Sequence, residues 1–350
     1  MKKIIIFLIA FSIGILIFGI VTSKIGFKEI IKAFSLFSWQ GLIVILILTF
    51  LIVLVDTWRL RFILQSMGHR FSYLEAGKIL LMGFAMTYLT HVAVWGGEFI
   101  MIYTLKNKYS LSWEKSAAAI FIFRAVDATI FFPFLVLGVF IFPLFTGIFP
   151  FSKILIYGTV ITAIFIILIA YFYIKSFKKQ SALAGILKFF GKDPKKIQES
   201  RNGKLVFEGE QEVLKFFSPK KKEMWIAIGN SVIKYLLSLI RVWLLIFFFK
   251  GGLDILKALS VYGFVNFSCL VPIPAQLGIL EASEALVFKG FGLGANMGIA
   301  FSFVLRAMDS LVCLAGIIII FKFGFDFAKK KLFEAIDKFI LRENNNKIGR

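Results

Sequence analysis

The chain has 350 residues, 59% of them hydrophobic and 17% charged, with a mean hydropathy of +0.88 and 44 phenylalanines. Globular proteins run at about 45–50% apolar and about 25% charged, so a soluble fold is excluded and a polytopic membrane protein is indicated. The net charge of +21, from 41 Lys and Arg against 20 Asp and Glu, would point to nucleic acid in a soluble protein; here its distribution along the chain decides its meaning.

Crossing about 30 Å of hydrocarbon takes about 20 mostly apolar residues, and six segments qualify: 4–22, 41–58, 117–142, 152–174, 225–249 and 298–322. The first follows Lys2 and Lys3. Its apolar stretch from Ile4 to Val21 has no Ala-x-Ala-like site before Lys24 and exceeds the usual signal-peptide core of about 7–15 residues, so it reads as a retained helix. Two further apolar segments are interrupted. Residues 79–95 end at Gly96, Gly97 and Glu98, followed only by Phe99 to Leu105. Residues 255–271 run into Pro272, Pro274 and Gly278 and resume from Ile279 to Phe288. Each is expected to be a re-entrant or broken-helix hairpin, because irregular backbone survives at membrane depth only when protein or a cavity surrounds it. A pair of kinked spans is the plainer alternative. The expected fold is all-α, with about six spanning helices plus two re-entrant hairpins.

With the amino terminus inside and both hairpins returning to their side of entry, thirty basic residues fall in internal segments and seven in external ones. The other four, Arg124, Lys234, Arg241 and Arg306, lie within spans. This distribution satisfies the positive-inside rule. It assigns most of the charge to orientation and to anionic lipid headgroups at the cytoplasmic face, not to nucleic acid. The expected location is the cell membrane, multi-pass, with both termini cytoplasmic. Residues 1–322 form one membrane domain and 323–350 a basic cytoplasmic tail. The polar stretch 175–224 is a cytoplasmic loop, either an amphipathic surface segment or a small regulatory element.

The chain repeats itself across halves at about 41–142 and 225–322. Gly83-Phe84, Gly97-Glu98, then Arg124 and Asp127 correspond to Gly263-Phe264, Gly278 with Glu281, then Arg306 and Asp309. Glu98 to Arg124 is 26 residues and Glu281 to Arg306 is 25. In the charge-based topology one hairpin enters from inside and the other from outside, so the repeat is inverted, as in many secondary transporters.

Intramembrane charges are expensive and face a protein interior or a wet cavity. Arg124 with Asp127, and Arg306 with Asp309, share a helix face and can pair internally. Either each pair pins its helix to a hairpin through Glu98 or Glu281, or it contacts substrate, or both. Asn230, Lys234, Ser238 and Arg241 form one polar stripe, whose two unpaired cations favour an anionic ligand such as a lipid phosphate; snorkelling to the interfaces is the alternative. Gly96, Gly97 and Gly278 are expected to form structural apices, with Pro272 and Pro274, and can expose N–H groups at half-helix ends. Glu98 and Glu281 are further candidates for gating or proton coupling.

These residues resemble the flippase-like family that includes the membrane region of lysylphosphatidylglycerol synthase, the multiple peptide resistance factor. The resemblance covers about residues 40–322. It rests on Val271 to Pro274, Gly278 with Glu281, Arg306 with Asp309, Gly96 to Glu98 with Tyr103 and Leu105, and Arg124 with Asp127. It implies inverted repeats that move a polar-headed lipid between leaflets. The family commonly has prolines around the first Gly-Gly-Glu and an Arg soon after; here Val92 to Trp95 precede it and Phe99, Ile100 and Met101 follow. The soluble aminoacyl-transferase domain has no counterpart in this sequence, so lysyl transfer is not expected.

Enzymatic chemistry is poorly provided for. His69 and His91 have no metal-ligand spacing, Cys269 and Cys313 are isolated, and there is no P-loop. No cofactor or metal is expected. The leading expectation is a lipid flippase whose substrate is an anionic or aminoacylated phospholipid or a polyprenyl-phosphate lipid. A membrane-embedded lipid-modifying enzyme and a scaffold for a lipid or glycosyl transferase are the alternatives. A homo-oligomer or a lipid-synthesis partner is compatible with each.

Overall fold

The computed structural model describes residues 37–90, 96–147, 153–249 and 254–348, with single positions at 28, 31 and 35; side chains at 153–159, 161, 162, 201 and beyond 324 are not among those described. The expected span at 4–22 and the segment from Val92 to Trp95 lie outside the described residues.

All regular structure among the described residues is helical. Helix α1 (Trp39–Ser66) opens at Ser38, whose hydroxyl accepts from the Gly41 N–H at 3.1 Å, the usual way to satisfy an orphan donor. Helix α2 (Tyr73–Thr90) starts on a reciprocal cap: the Ser72 N–H donates to the Glu75 carboxylate at 2.8 Å, and the Glu75 N–H to the Ser72 hydroxyl at 3.2 Å. Helices α3 (Glu98–Tyr109) and α4 (Trp113–Thr146) complete the first half, and α5 (Lys153–Phe177) follows. The polar stretch 175–224 folds into α6 (Ala182–Phe189), α7 (Pro194–Glu199) and α8 (Arg201–Phe216). The second half contains α9 (Lys222–Phe248), α10 (Ile255–Ser268), a single 3₁₀ turn at Pro274–Gln276, α11 (Ile279–Gly290) and α12 (Ala295–Ile348).

Among the described residues, four helices are long and apolar enough to cross a membrane: α1, α4, α9 and the Ala295–Gly324 part of α12. They coincide with the expected spans 41–58, 117–142, 225–249 and 298–322. The expected span 152–174 falls on α5, whose Ala163–Phe177 portion is a shorter apolar helix. One boundary differs. The span expected to stop at 58 continues as helix to Ser66, so Arg59, assigned from sequence to an internal loop, is fully buried within the bundle. The reason is charge pairing: its guanidinium lies 2.8 Å from Asp56 and 2.9 Å from Asp127, which offsets the cost of burial that a hydropathy count registers alone.

The interrupted segments are helix pairs, α2–α3 and α10–α11, broken where the sequence indicates. Helices α3, α10 and α11 have 12, 14 and 12 residues. At about 1.5 Å rise per residue they are roughly 18–21 Å long, short of a bilayer.

The two halves interlock by exchange. The first arm of each hairpin packs on the long helix of the opposite half: α2 on α12 and α10 on α4. The α10–α4 crossing is backbone to backbone, for a Cβ at Gly138 would lie 2.5 Å from the Gly263 Cα. The first helices of the halves, α1 and α9, pack on each other. Their contacts join Gly41 to Phe248, Thr49 to Arg241 and Arg59 to Ser231, so the later a residue in α1, the earlier its partner in α9. Equivalent helices thus run antiparallel and the repeat is inverted. Among the described residues, two large apolar cores result. One gathers Met101, Phe123 and Phe217 around the first hairpin, the other Phe142, Phe264 and Phe288 around the second.

Candidate functional site

Each hairpin apex is tied to its long helix by the same device. In the first half the Arg124 Nε lies 2.6 Å from Glu98 Oε1, while Glu98 Oε2 accepts the Gly96 N–H at 2.7 Å. In the second, the Arg306 Nη2 lies 2.6 Å from Glu281 Oε1, and Glu281 Oε2 accepts the Gly278 N–H at 2.8 Å. The carboxylate does two jobs. It caps the positive end of the second arm, and it carries the charge that lets an arginine be buried. Gly97 is required for a different reason: a Cβ there would sit 1.8 Å from the Gly83 carbonyl oxygen. Its N–H donates to the Thr87 hydroxyl at 3.0 Å. At the second apex Pro272 and Pro274 lead into a turn in which Ala275 and Gln276 have φ of 52° and 54° and Gly278 has 79°, and the Gln276 carbonyl accepts from Arg306 at 3.4 Å.

A second device repeats in the middle of the bundle with a constant offset of 182 residues. The Arg59 Nη1 donates to Asp127 at 2.9 Å and to the Ser231 hydroxyl on α9. Adding 182 to Arg59 and Asp127 gives Arg241 and Asp309, and adding it to Thr49 gives Ser231. Correspondingly, the Arg241 Nη1 donates to Asp309 at 3.4 Å and to the Thr49 hydroxyl on α1 at 3.2 Å. Each half supplies an arginine from its first helix and an aspartate from its fourth, and borrows a hydroxyl from the other half.

Three residues break this symmetry. Lys234 lies 2.7 Å from Asp127 and 3.5 Å from Asp56, while the equivalent positions are Ile52 and Ser238. The Tyr235 hydroxyl adds a donor to Asp127 at 3.3 Å. Three acids, Asp56, Asp127 and Asp309, thereby meet three bases, Arg59, Lys234 and Arg241, in a lattice of two parts across α1, α4, α9 and α12: Asp56 and Asp127 with Arg59 and Lys234, and Asp309 with Arg241.

The pairings differ from those the sequence suggests. Among the described residues, no ion pair joins Arg124 to Asp127 or Arg306 to Asp309; each arginine reaches its hairpin glutamate and each aspartate a base on another helix. Lys234 and Arg241 are not unpaired cations. Asn230 is buried one turn before Lys234, its side-chain nitrogen without a hydrogen-bond partner. Sequence reasoning missed Asp56, Arg59, Thr49, Ser231 and Tyr235. The signal was present for Arg59, since the offset relating Arg124 to Arg306 also carries Arg59 to Arg241.

Beside the lattice a cavity of about 900 Å³ opens between α4, α5, α6 and α8. Phe121, Phe132, Phe165 and Phe172 make its walls, and Arg124 and Asp127 border it. The α6–α8 segment closes one end, tied together by Glu210, which accepts from the Ser181 hydroxyl at 2.5 Å and the Leu183 N–H at 2.9 Å.

A UPF0104 membrane protein of Methanocaldococcus jannaschii is 25% identical over 302 residues, covering 83% of this chain and 87% of that protein. Residues 5–316, which hold both hairpins and the whole lattice, match the family described as the lysylphosphatidylglycerol synthase TM region, and the chain belongs to that family.

Proposed function

We propose that this protein is a lipid translocase that carries an anionic or aminoacylated polar-headed lipid, of phospholipid or polyprenyl-phosphate type, between the leaflets of the cell membrane. The observation that carries the reading is the two-signed lattice at the centre of an inverted repeat. A charged headgroup can cross hydrocarbon only if its charges exchange partners instead of losing them, and a lattice of three acids and three bases offers such exchange to either sign. The Asp309–Arg241 contact, the longest of the lattice bonds to Asp309 or Asp127 and with the Asp309 side chain 27% exposed, is where a headgroup enters. The aromatic cavity beside α4 takes the hydrocarbon chain.

Alternating access follows from the inverted halves. If the two hairpins are re-entrant and exchange conformations, a site open to one face becomes open to the other. The chain assigns itself no bond-making chemistry in this scheme, and both termini are cytoplasmic, where basic segments meet anionic headgroups.

A leaflet-resolved assay in proteoliposomes tests the proposal. Arg124→Ala and Arg306→Ala are each expected to slow translocation by at least about tenfold, equivalent to about 1.4 kcal/mol of barrier. Unchanged rates in both would sink the assigned roles.

A further inference from the structure

The two hairpins differ at one buried position. Three residues after the apex glutamate, one turn along the second arm, the first half has Met101 and the second has Glu284. Both are buried, at 1% and 0% exposure. Met101 belongs to the apolar core around its hairpin. Glu284 occupies the matching place with a carboxyl group, and neither of its oxygens has a hydrogen-bond partner.

Among the described residues, no cation pairs with it. Glu281, on the same helix, is a like charge and is already bound to Arg306 of α12 at 2.6 Å. Ser283 is its hydroxyl neighbour and donates to the Leu280 carbonyl at 3.2 Å. On α12, Asp309 is engaged by Arg241. On α10, which also packs on α11, Lys257 lies in the first turn, paired with Asp254 at 3.4 Å. The next residues, Ala285 and Ile299, form an apolar cluster with Ala295 and Phe303. The α11–α12 contact is close here, since a Cβ at Gly298 would lie 2.3 Å from the Glu284 carbonyl oxygen.

An ionised carboxylate in such a place loses its hydration with only the Ser283 hydroxyl beside it in return, so the group keeps its proton for as long as α11 and α12 stay together. Separation of the two helices at Gly298 would hydrate the carboxyl and release the proton. We propose that Glu284 is a proton-binding site, loaded in the packed state of α11 and α12 and emptied when they part, so that lipid movement is coupled to one proton. Glu98 and Glu281, the sequence-based candidates for that role, are each held by an arginine and serve as apex caps. The coupling rests on the translocase reading; the proton site does not.

Two measurements on the full chain separate these layers. In lipid nanodiscs, infrared spectroscopy of the wild type should show the carbonyl band of a buried protonated carboxylic acid that Glu284→Gln lacks. Persistence of the full band in the variant would overturn the site. Glu284→Met, which installs the residue of the other half, should fold and melt higher than the wild type, because an unpartnered polar group leaves the interior; a lower melting temperature would count against the site. In proteoliposomes a gradient of one pH unit is worth about 1.4 kcal/mol per proton, so the wild type should reach about a tenfold lipid asymmetry. Glu284→Gln should equilibrate lipid evenly. A wild type that translocates but ignores the gradient would overturn the coupling. A wild type that translocates nothing would overturn the translocase reading and the coupling with it, while the infrared band still decides the proton site.

Discussion

The two halves share a skeleton and differ in how firmly it is held. Asp127 accepts from Lys234, Arg59 and Tyr235 at 2.7, 2.9 and 3.3 Å, whereas Asp309 has Arg241 at 3.4 Å. The first apex is a Gly-Gly turn held by a threonine; the second is a proline-flanked turn with two non-glycine residues at positive φ. Buried methionine in one half is buried glutamate in the other. What repeats, the arginine–glutamate ties and the arginine–aspartate–hydroxyl triads, builds the architecture. What fails to repeat, Lys234, Asp56 and Glu284, is where one half is locked and the other left free to respond.

The sharpest way to break this contrast is at the equivalent arginines. Arg59→Ala should cost about 3–5 kcal/mol by stranding Asp56 and Asp127 in the interior. Arg241→Ala, at a longer and partly exposed contact, should cost about 1.5–3 kcal/mol. Thermal and denaturant unfolding in the same detergent measures both, and equal losses would erase the distinction between a locked and a loose half. A smaller effect tests what is shared. Glu98→Ala and Glu281→Ala should each lose about 1.5–3 kcal/mol, the worth of a charged hydrogen-bonded contact. Because both ties measure 2.6 Å, the two melting shifts should agree; a marked disparity would show that the apices are not equivalent. The smallest effect probes the second apex. A non-glycine residue in the left-handed region costs about 1–2 kcal/mol, so Ala275→Gly should raise stability and Gly278→Ala should lower it, read as opposite shifts in melting temperature.

Much of this was legible in the sequence because helices in lipid announce themselves by unbroken hydropathy, and because the Arg-Ala-x-Asp repeat stands out in so apolar a chain. The hairpin breaks at Gly96-Gly97 and Pro272–Gly278 were readable for the same reason. The pairing was not. Residues three apart on a helix share a face, which says they can meet, but Arg124 and Asp127 find better partners on other helices, and helix-to-helix partners leave no trace in local spacing. Arg59 was missed because a charge near the end of an apolar run looks like the end of the run. Glu284 was passed over because a glutamate on a short apolar helix reads as a surface residue until the face it shares with Glu281 and Phe288 proves to be buried.

Among the described residues, helix α5 has no counterpart in the second half, and parity explains why it is there. It runs antiparallel to α4, with Phe121 against Phe172 and Phe132 against Phe165, and so returns the chain to the end of the bundle at which α9 begins. A connection with an even number of passages would have laid the second half down in the same direction as the first, giving two parallel copies with no exchange between them. One odd passage turns a tandem duplication into a pair of opposed copies. Inserting or deleting a single hydrophobic segment between the halves would therefore change the symmetry class of the whole molecule while leaving every residue of both repeats intact.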